Sequence, residues 1–352
     1  MVSGIRLYFT KHRMLWIATA LLLGLAVWVI TAEASLRRAA RYAPQPQRPV
    51  TWELYRPHPT LFWELRPHFK GLAVHAQRAC DDPGPNEMRL FQVTTNSWGM
   101  RNPETAQSKE DRQWRVLCLG DELTFGYGVN DADTYERKLF RYLLSLHVSK
   151  NIQVLNAGCP GWTSYQSREW ARLVGRSFEP DVYVLGFGNA DIMPEDYADS
   201  ERVSSWAFLR SLDLLLSRSE LYRYWQHCDA LRYNTYGLPP ADYKYSKLRV
   251  SKDEFRSNLQ WFASIAKSDG AKLVILGLPY RSGAASYIAD EYRFIMQETA
   301  QASGAVYIDL HSMMNADAKV LFDKDFHPNA KGYELIALTI MSEMQKRGWH
   351  KL

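Results

Sequence analysis

With 352 residues, 46% of them hydrophobic and 23% charged, the chain has room for one large domain or two modest ones and enough apolar material for a sizeable core. The formal charge of +5 is mild for this length. Much of the excess flanks one apolar segment rather than forming a basic stripe, which argues against nucleic acid as the main partner.

That segment runs from Met14 to Ala32, nineteen residues without a charge, after a short N-terminal tail of residues 1–13. Its length suits a bilayer core, and Trp16 and Trp28 sit near its ends as interfacial anchors would. Arg6, Lys11 and Arg13 precede it and Arg37, Arg38 and Arg41 follow it, so the flanking charge does not decide orientation. A cleavable signal peptide competes with an anchor, because Ala32–Glu33–Ala34 resembles a small-x-small cleavage site. The apolar run is longer than the usual signal core, and a retained anchor with the bulk of the chain outside the cytoplasm is the expectation. Cys80, Cys118, Cys159 and Cys228 have no metal-ligand spacing. Cys118 reads as a buried thiol, and a Cys80–Cys228 disulfide is open in an oxidising compartment.

Residues 33–51, rich in Arg, Pro and Gln, read as an extended linker. Residues 52–108 mix aromatics and turn formers with short alternating runs, which predicts a small β-rich segment packed on the main domain. Within it, TTNSWGMR reads as an ordered turn near the cleft, with no chemistry assigned. From Arg115 the pattern changes. Short apolar runs at 116–119, 152–156, 182–188, 272–279 and 305–310 alternate with helical stretches. Asp133 and Glu136 form a candidate capping box ahead of the apolar face Tyr135, Leu139, Tyr142, Leu143 and Leu146. Phe255, Leu259, Phe262 and Ile265 repeat helically, and a last helix follows HPNAKG with Tyr333, Ile336, Leu338, Ile340 and Met344.

Strand–helix alternation of this kind predicts an α/β three-layer sandwich: a central parallel five-stranded sheet covered on both faces. Residues of about 195–250 interrupt the spacing and read as a helical insertion, a cap or lid beside the strand ends. Ligands in such folds sit at the carboxyl ends of the strands, where GDELTFG, NAGCPGW and GNADIMPED fall.

Those blocks resemble the SGNH, or GDSL, hydrolase superfamily over about residues 115–350. The resemblance implies a Gly-Asp-Ser block with a serine nucleophile; LGDELTFGYGV is similar to it with Glu122 in the serine position. It implies an oxyanion-hole glycine N–H, which falls on Gly161. The family's Gly-x-Asn-Asp block, whose asparagine is another oxyanion donor, is matched by GNAD, with Ala190 in the asparagine slot and Asn189 one place early. Its Asp-x-x-His block is matched at His327, with Lys324 in the aspartate slot between Asp323 and Asp325. Small backbone shifts could recruit Asn189 and Asp325 in place of the lost groups, so the candidate site residues that the resemblance implies are Glu122, Gly161, Asn189, Asp325 and His327.

A carboxylate at 122 has no proton to give at neutral pH, so the serine mechanism is lost. Loss of an oxyanion donor typically costs about a hundred- to a thousandfold in rate, and loss of the orienting aspartate frees the histidine to adopt the wrong tautomer. Several readings of the site follow. Glu122, at a helix N-terminus that favours an anion, folds back onto the N–H groups of the oxyanion hole as a structural group, paired with His327. Alternatively it acts as nucleophile or general base, keeping ester hydrolysis or O-acyl transfer on envelope carbohydrate or lipid. Asp121, Glu122, Asp325 and His327 could converge on a divalent cation, although their spacing is loose. Finally, the cleft binds a carbohydrate or acyl ligand unchanged. Trp162, Trp170 and His311 read as packing residues. The expectation is a membrane-anchored extracytoplasmic member that no longer hydrolyses and that binds protein partners in an envelope complex, with no cofactor.

Overall fold

An N-terminal helix, α1 (Val2–Tyr42), opens the computed structural model, which describes residues 2–42, 54–77, 87–146, 151–195, 198–201, 219, 221, 247–280, 286–323 and 327–349. Among the described residues α1 is the one helix long and apolar enough to cross a membrane, over Met14–Arg38 with a mean hydropathy of 2.2. It continues through residues 33–42, so the expected linker is helical there, because the sequence from Glu33 to Tyr42 contains neither Gly nor Pro. The rest of that stretch, 43–51, lies outside the described residues.

The chain divides into two compact units, Met1–Arg48 with Ser211–Leu238 and Pro49–Arg210 with Pro239–Leu352. In the first, the Glu33 carboxylate, one residue past the apolar run, accepts hydrogen bonds from Ser219 Oγ and the Leu221 backbone N–H, each at 2.8 Å.

The second unit starts with two antiparallel hairpins, β1 (Tyr55–His58) with β2 (Phe62–Leu65) and β3 (Lys70–Gln77) with β4 (Glu87–Thr94). It continues through β5 (Trp114–Gly120), the single turn α2 (Glu122–Phe125), α3 (Tyr135–Ser145), β6 (Ile152–Gly158), α4 (Ser164–Leu173) and β7 (Val182–Gly186). A two-residue pair, β8 (Pro194–Glu195) with β9 (Lys247–Leu248), closes the base of the insertion. Then come α5 (Lys252–Ser268), β10 (Lys272–Gly277), α6 (Ser286–Ser303), β11 (Val306–Asp309), α7 (Leu310–Asn315), α8 (Ala318–Leu321) and α9 (Ala330–Lys346).

The main sheet has the order β11-β10-β7-β5-β6 and is parallel throughout, as the alternation of strands and helices requires. Its strands are apolar on both faces because both are covered. Val116 and Cys118 of β5 face a core shared with α3 and α9, whereas Leu117 and Leu119 face one shared with α4, α5 and α6. The two hairpins add Leu61, Leu65, Phe91 and Val93 to that second core.

Local signals set several boundaries. The N-cap of α3 is Thr134, whose hydroxyl accepts the Arg137 N–H at 3.3 Å, and not Asp133. Asp133 belongs to a 3₁₀ turn over Asp131–Asp133, which moves the helix start one residue on and sends Glu136 into the interior. The reciprocal capping box is found at α4, between Thr163 and Gln166. The last helix begins within HPNAKG, because Asn329 caps it through the Lys331 and Gly332 N–H groups. Most of the insertion, including its expected role as a cap, lies outside the described residues, as do Cys80 and Cys228. Cys118 and Cys159 are buried free thiols.

Candidate functional site

Three adjacent strands, β7, β5 and β6, end in glycine at the site: Gly186, Gly120 and Gly158. These glycines let α2 sit directly on the sheet. A Cβ on Gly158 would lie 2.3 Å from the Phe125 backbone nitrogen, closer than any packing permits. Asp121 caps α2, with Oδ1 accepting the Leu123 N–H at 3.0 Å. It is fully buried, and its Oδ2 has no hydrogen-bond partner among the described residues. Burial raises its carboxyl well above the usual carboxylate range, and the neighbouring Glu122 and Asp191 charges push the same way.

Glu122 is the first residue of α2 and is half-buried. Its Oε2 accepts the Gly161 N–H at 3.2 Å. Gly161 lies in the turn after β6, where Trp162 N–H donates to the Cys159 carbonyl at 3.0 Å. Pro160 at the second position and Gly161 at the third, with φ of +74°, make this a type II turn. The turn's own bond uses neither end of the Pro160–Gly161 peptide, so the Gly161 N–H projects at Glu122.

That peptide is held from elsewhere. Trp63 Nε1, on β2, donates to the Pro160 carbonyl at 3.1 Å, and Trp162 Nε1 donates to the Trp63 carbonyl at 2.9 Å. Arg249, just past β9, donates to the Gly161 carbonyl at 2.7 Å. Its guanidinium also forks onto the buried Asp199, at 3.3 and 3.0 Å, reaches Gln166 Oε1 at 2.9 Å and lies over the Trp63 ring. Thr163 Oγ1 donates to Asp199 at 2.8 Å. None of Trp63, Asp199 and Arg249 stands out in the sequence; the contacts of Trp63 and Arg249 with the turn span 97 and 88 residues.

Asn189 does not turn toward this peptide. Its Nδ2 donates to the Pro279 carbonyl at 3.1 Å, and the following Tyr280 stacks on His311 at 4.4 Å. Ala190 is buried, and Asp191 accepts from the Ser164 N–H and hydroxyl at the start of α4. Burial pushes the Asp191 carboxyl up to about 7, against the pull of those bonds and of Arg249.

His327 is half-buried, its ring 5.0 Å from that of Tyr127. Tyr127 N–H donates to the Glu122 carbonyl oxygen at 3.0 Å, so His327 and Glu122 border the same loop. The His327 carbonyl accepts the Asp323 N–H at 2.8 Å, and Asp323 Oδ2 takes a bond from Arg89 at 3.3 Å. Lys324 and Asp325 lie outside the described residues. Among the described residues no group of three or more His, Cys, Asp or Glu side chains is arranged to hold a metal ion. Trp162 and Trp170 are buried in the core.

The loop after α2 is fixed by Arg101, from the turn TTNSWGMR. Its side chain is fully buried. It donates to Asp131 at 2.8 Å and to the carbonyls of Gln92, Phe125, Gly126 and Val129 at 2.6–3.0 Å. That turn therefore does shape the site, by holding the loop that carries Tyr127.

A family model described as "GDSL-like Lipase/Acylhydrolase family" matches residues 118–335. An acetylxylan esterase of Xylanibacter ruminicola is 25% identical, over 66% of this chain and 43% of its own length, so the chain spans under half of that relative. Among solved structures, a lipase/acylhydrolase from Enterococcus faecalis is similar with 18% identity and a TM-score of 0.45, covering 66% of this chain and 96% of that one. An acetylxylan esterase from Geobacillus stearothermophilus is similar with 16% identity and a TM-score of 0.45, covering 66% and 94%. The family match takes in the turns that carry Glu122, Gly161, Asn189 and His327 and more than half of the sequence, and the chain belongs to the GDSL-like lipase/acylhydrolase family.

Proposed function

We propose that this chain is a membrane-anchored, extracytoplasmic member of its family that no longer hydrolyses esters and serves as a binding or scaffold component of an envelope assembly. One observation carries the reading: the Gly161 N–H, the family's oxyanion donor, is bonded to the chain's own Glu122 carboxylate. Glu122 stands where the family has its serine, so the group that should attack a substrate instead fills the hole meant for the developing oxyanion. Asn189 is directed to Pro279 rather than to the hole, which removes a second donor. The partners of such a member would be other proteins, or a carbohydrate or acyl ligand bound unchanged. The apolar stretch of α1 supports the anchor, and the extracytoplasmic side follows from the role assigned to the domain.

A hydrolase reading stands beside it. Gly161 and His327 are retained, and the curated relative is named an acetylxylan esterase. In that case Glu122 would act on water or on an acyl group of an envelope ester. One experiment separates the two. The full chain in detergent is incubated with short-chain aryl esters and with a fluorophosphonate probe, beside Glu122→Ser and Glu122→Ala. The scaffold reading expects no turnover by the unmodified chain and probe labelling in Glu122→Ser alone. Esterase turnover that disappears in Glu122→Ala would overturn it.

A further inference from the structure

A type II turn can convert to type I when its central peptide rotates by about half a turn, and a glycine at the third position accepts either sign of φ. Gly161 therefore supplies a reachable conformation and also the freedom to leave it. Rotation would swing the Gly161 N–H away from Glu122 and put the Pro160 carbonyl, an acceptor, into the hole. The structure holds this peptide through residues remote in sequence. Trp63 Nε1 bonds the Pro160 carbonyl, the opposite end of the same peptide. Arg249 bonds the next carbonyl, that of Gly161, which lies just outside the rotating peptide; with its fork committed to the buried Asp199 and to Gln166, it fixes the peptide on the far side of Gly161, against which Pro160–Gly161 would have to turn. Asp199 is fixed in turn by Thr163, the cap of α4, and by its own N–H on the Arg249 carbonyl at 2.8 Å.

We propose that Trp63 and Arg249 are positioning residues for the oxyanion peptide, holding Pro160–Gly161 in the single orientation that presents the Gly161 N–H to the site. Trp63 comes from the N-terminal hairpins, outside residues 118–335, so the family-like domain depends on a preceding segment to set its own oxyanion donor. Arg249 comes from the base of the insertion, which the short β8–β9 pair and the Arg249 N–H on the Met193 carbonyl at 2.9 Å fix to the domain. This deepens the filled-hole reading, on which it rests for the identity of the donor.

The test reads the peptide directly. The chain contains two Pro–Gly peptides, Pro83–Gly84 and Pro160–Gly161. Full-length protein in detergent, labelled with carbonyl-¹³C proline and ¹⁵N glycine, thus yields two filtered amide signals, and the one that moves in Glu122→Ala is Gly161. Trp63→Phe keeps an aromatic ring, smaller than the indole, and removes the single N–H donor. Arg249→Lys keeps the charge beside Asp199 and removes the fork. In each, the Gly161 amide proton is expected to move upfield and its hydrogen exchange to speed up roughly tenfold, as for loss of one charge-assisted bond. Leu72→Ala, on an exposed hairpin position, is expected to leave it unchanged. A packing role alone would lower the unfolding temperature while the Gly161 signal stays in place in both variants, and that result overturns the proposal. Because the readout needs no turnover, it can succeed or fail whether or not Glu122→Ser gains esterase activity.

Discussion

Arg101 and Glu136 are both buried beneath the loop that follows α2 and act on each other's charge, yet no hydrogen bond joins them. A guanidinium has five N–H donors, and Arg101 places them on Asp131 and four backbone carbonyls. Nothing is left for Glu136, whose two carboxyl oxygens are buried without a hydrogen-bond partner among the described residues.

Glu136 is accordingly expected to be protonated at neutral pH, because burial raises its carboxyl to about 8. The sign of the stability effect follows. Below its ordinary value near 4.5 the group is neutral in both states and contributes nothing. Between there and about 8 the unfolded chain releases the proton and the native one keeps it, so stability falls as pH rises and levels off above about 8. Glu136→Gln should therefore match the parent chain at about pH 4 and be more stable by roughly 1–4 kcal/mol at about pH 8. Thermal unfolding across that range checks it; parallel pH profiles for the two chains would refute the assignment.

Arg101→Met leaves three buried carbonyls, the part-buried Gln92 carbonyl and the Asp131 carboxylate without this donor. A loss of about 3–5 kcal/mol is expected, as for removal of one partner from a buried charged network. Because Arg101 ties β4 to the loop over 125–131, limited proteolysis should cut near residues 87–94 before the main sheet opens. Arg101→Lys should recover only a small part, since one ammonium cannot reach carbonyls on separate segments. Equal stability of the lysine variant and the parent would show that charge, not the fork, matters.

How far the sequence reveals this molecule depends on the range of each interaction. The five strands are legible because a sheet covered on both faces needs unbroken apolar runs, and Val116 to Leu119 alternate between two cores without a polar residue. Glu122 and Gly161 are legible because each stands in a compact turn at a strand end. Thr134 is hidden as a cap behind Asp133, since a one-residue shift from a 3₁₀ turn is invisible to a four-residue pattern. The same shift turns Glu136 from a capping group into a buried acid. Trp63, Asp199 and Arg249 are not legible at all: a tryptophan among turn formers and an arginine after an insertion have no local pattern that points to the turn at Pro160–Gly161.

Strand-end crowding gives a sharper mutational expectation. A methyl group at Gly158 meets the Phe125 backbone nitrogen at 2.3 Å and the Thr124 carbonyl carbon at 2.6 Å, neither of which is a flexible side-chain tip. Gly158→Ala must push α2 off the sheet, and a cost of about 1–3 kcal/mol is expected, as for other overpacked sites. The shift should also lengthen the Glu122–Gly161 contact and move the Gly161 amide signal. An unchanged unfolding temperature would mean that α2 has more room than the structure gives it.

The last expectation concerns the second oxyanion donor. Asn189 is bonded to Pro279, so its removal should not alter the chemistry of a restored nucleophile. In the Glu122→Ser background, Asn189→Ala should label with fluorophosphonate at the same rate as Glu122→Ser alone and lose about 0.5–1.5 kcal/mol of stability, the usual worth of one hydrogen bond. Ala190 stands in the slot that the resemblance gives to the family's asparagine, and it is buried in the turn between β7 and β8. Glu122→Ser with Ala190→Asn should label faster, by roughly tenfold to a few hundredfold, because one oxyanion donor is worth about that much. A rate that drops in Asn189→Ala and does not rise in Ala190→Asn would show that Asn189 leaves Pro279 to serve the hole once Glu122 is gone, and that the site is less degenerate than the Glu122–Gly161 bond implies.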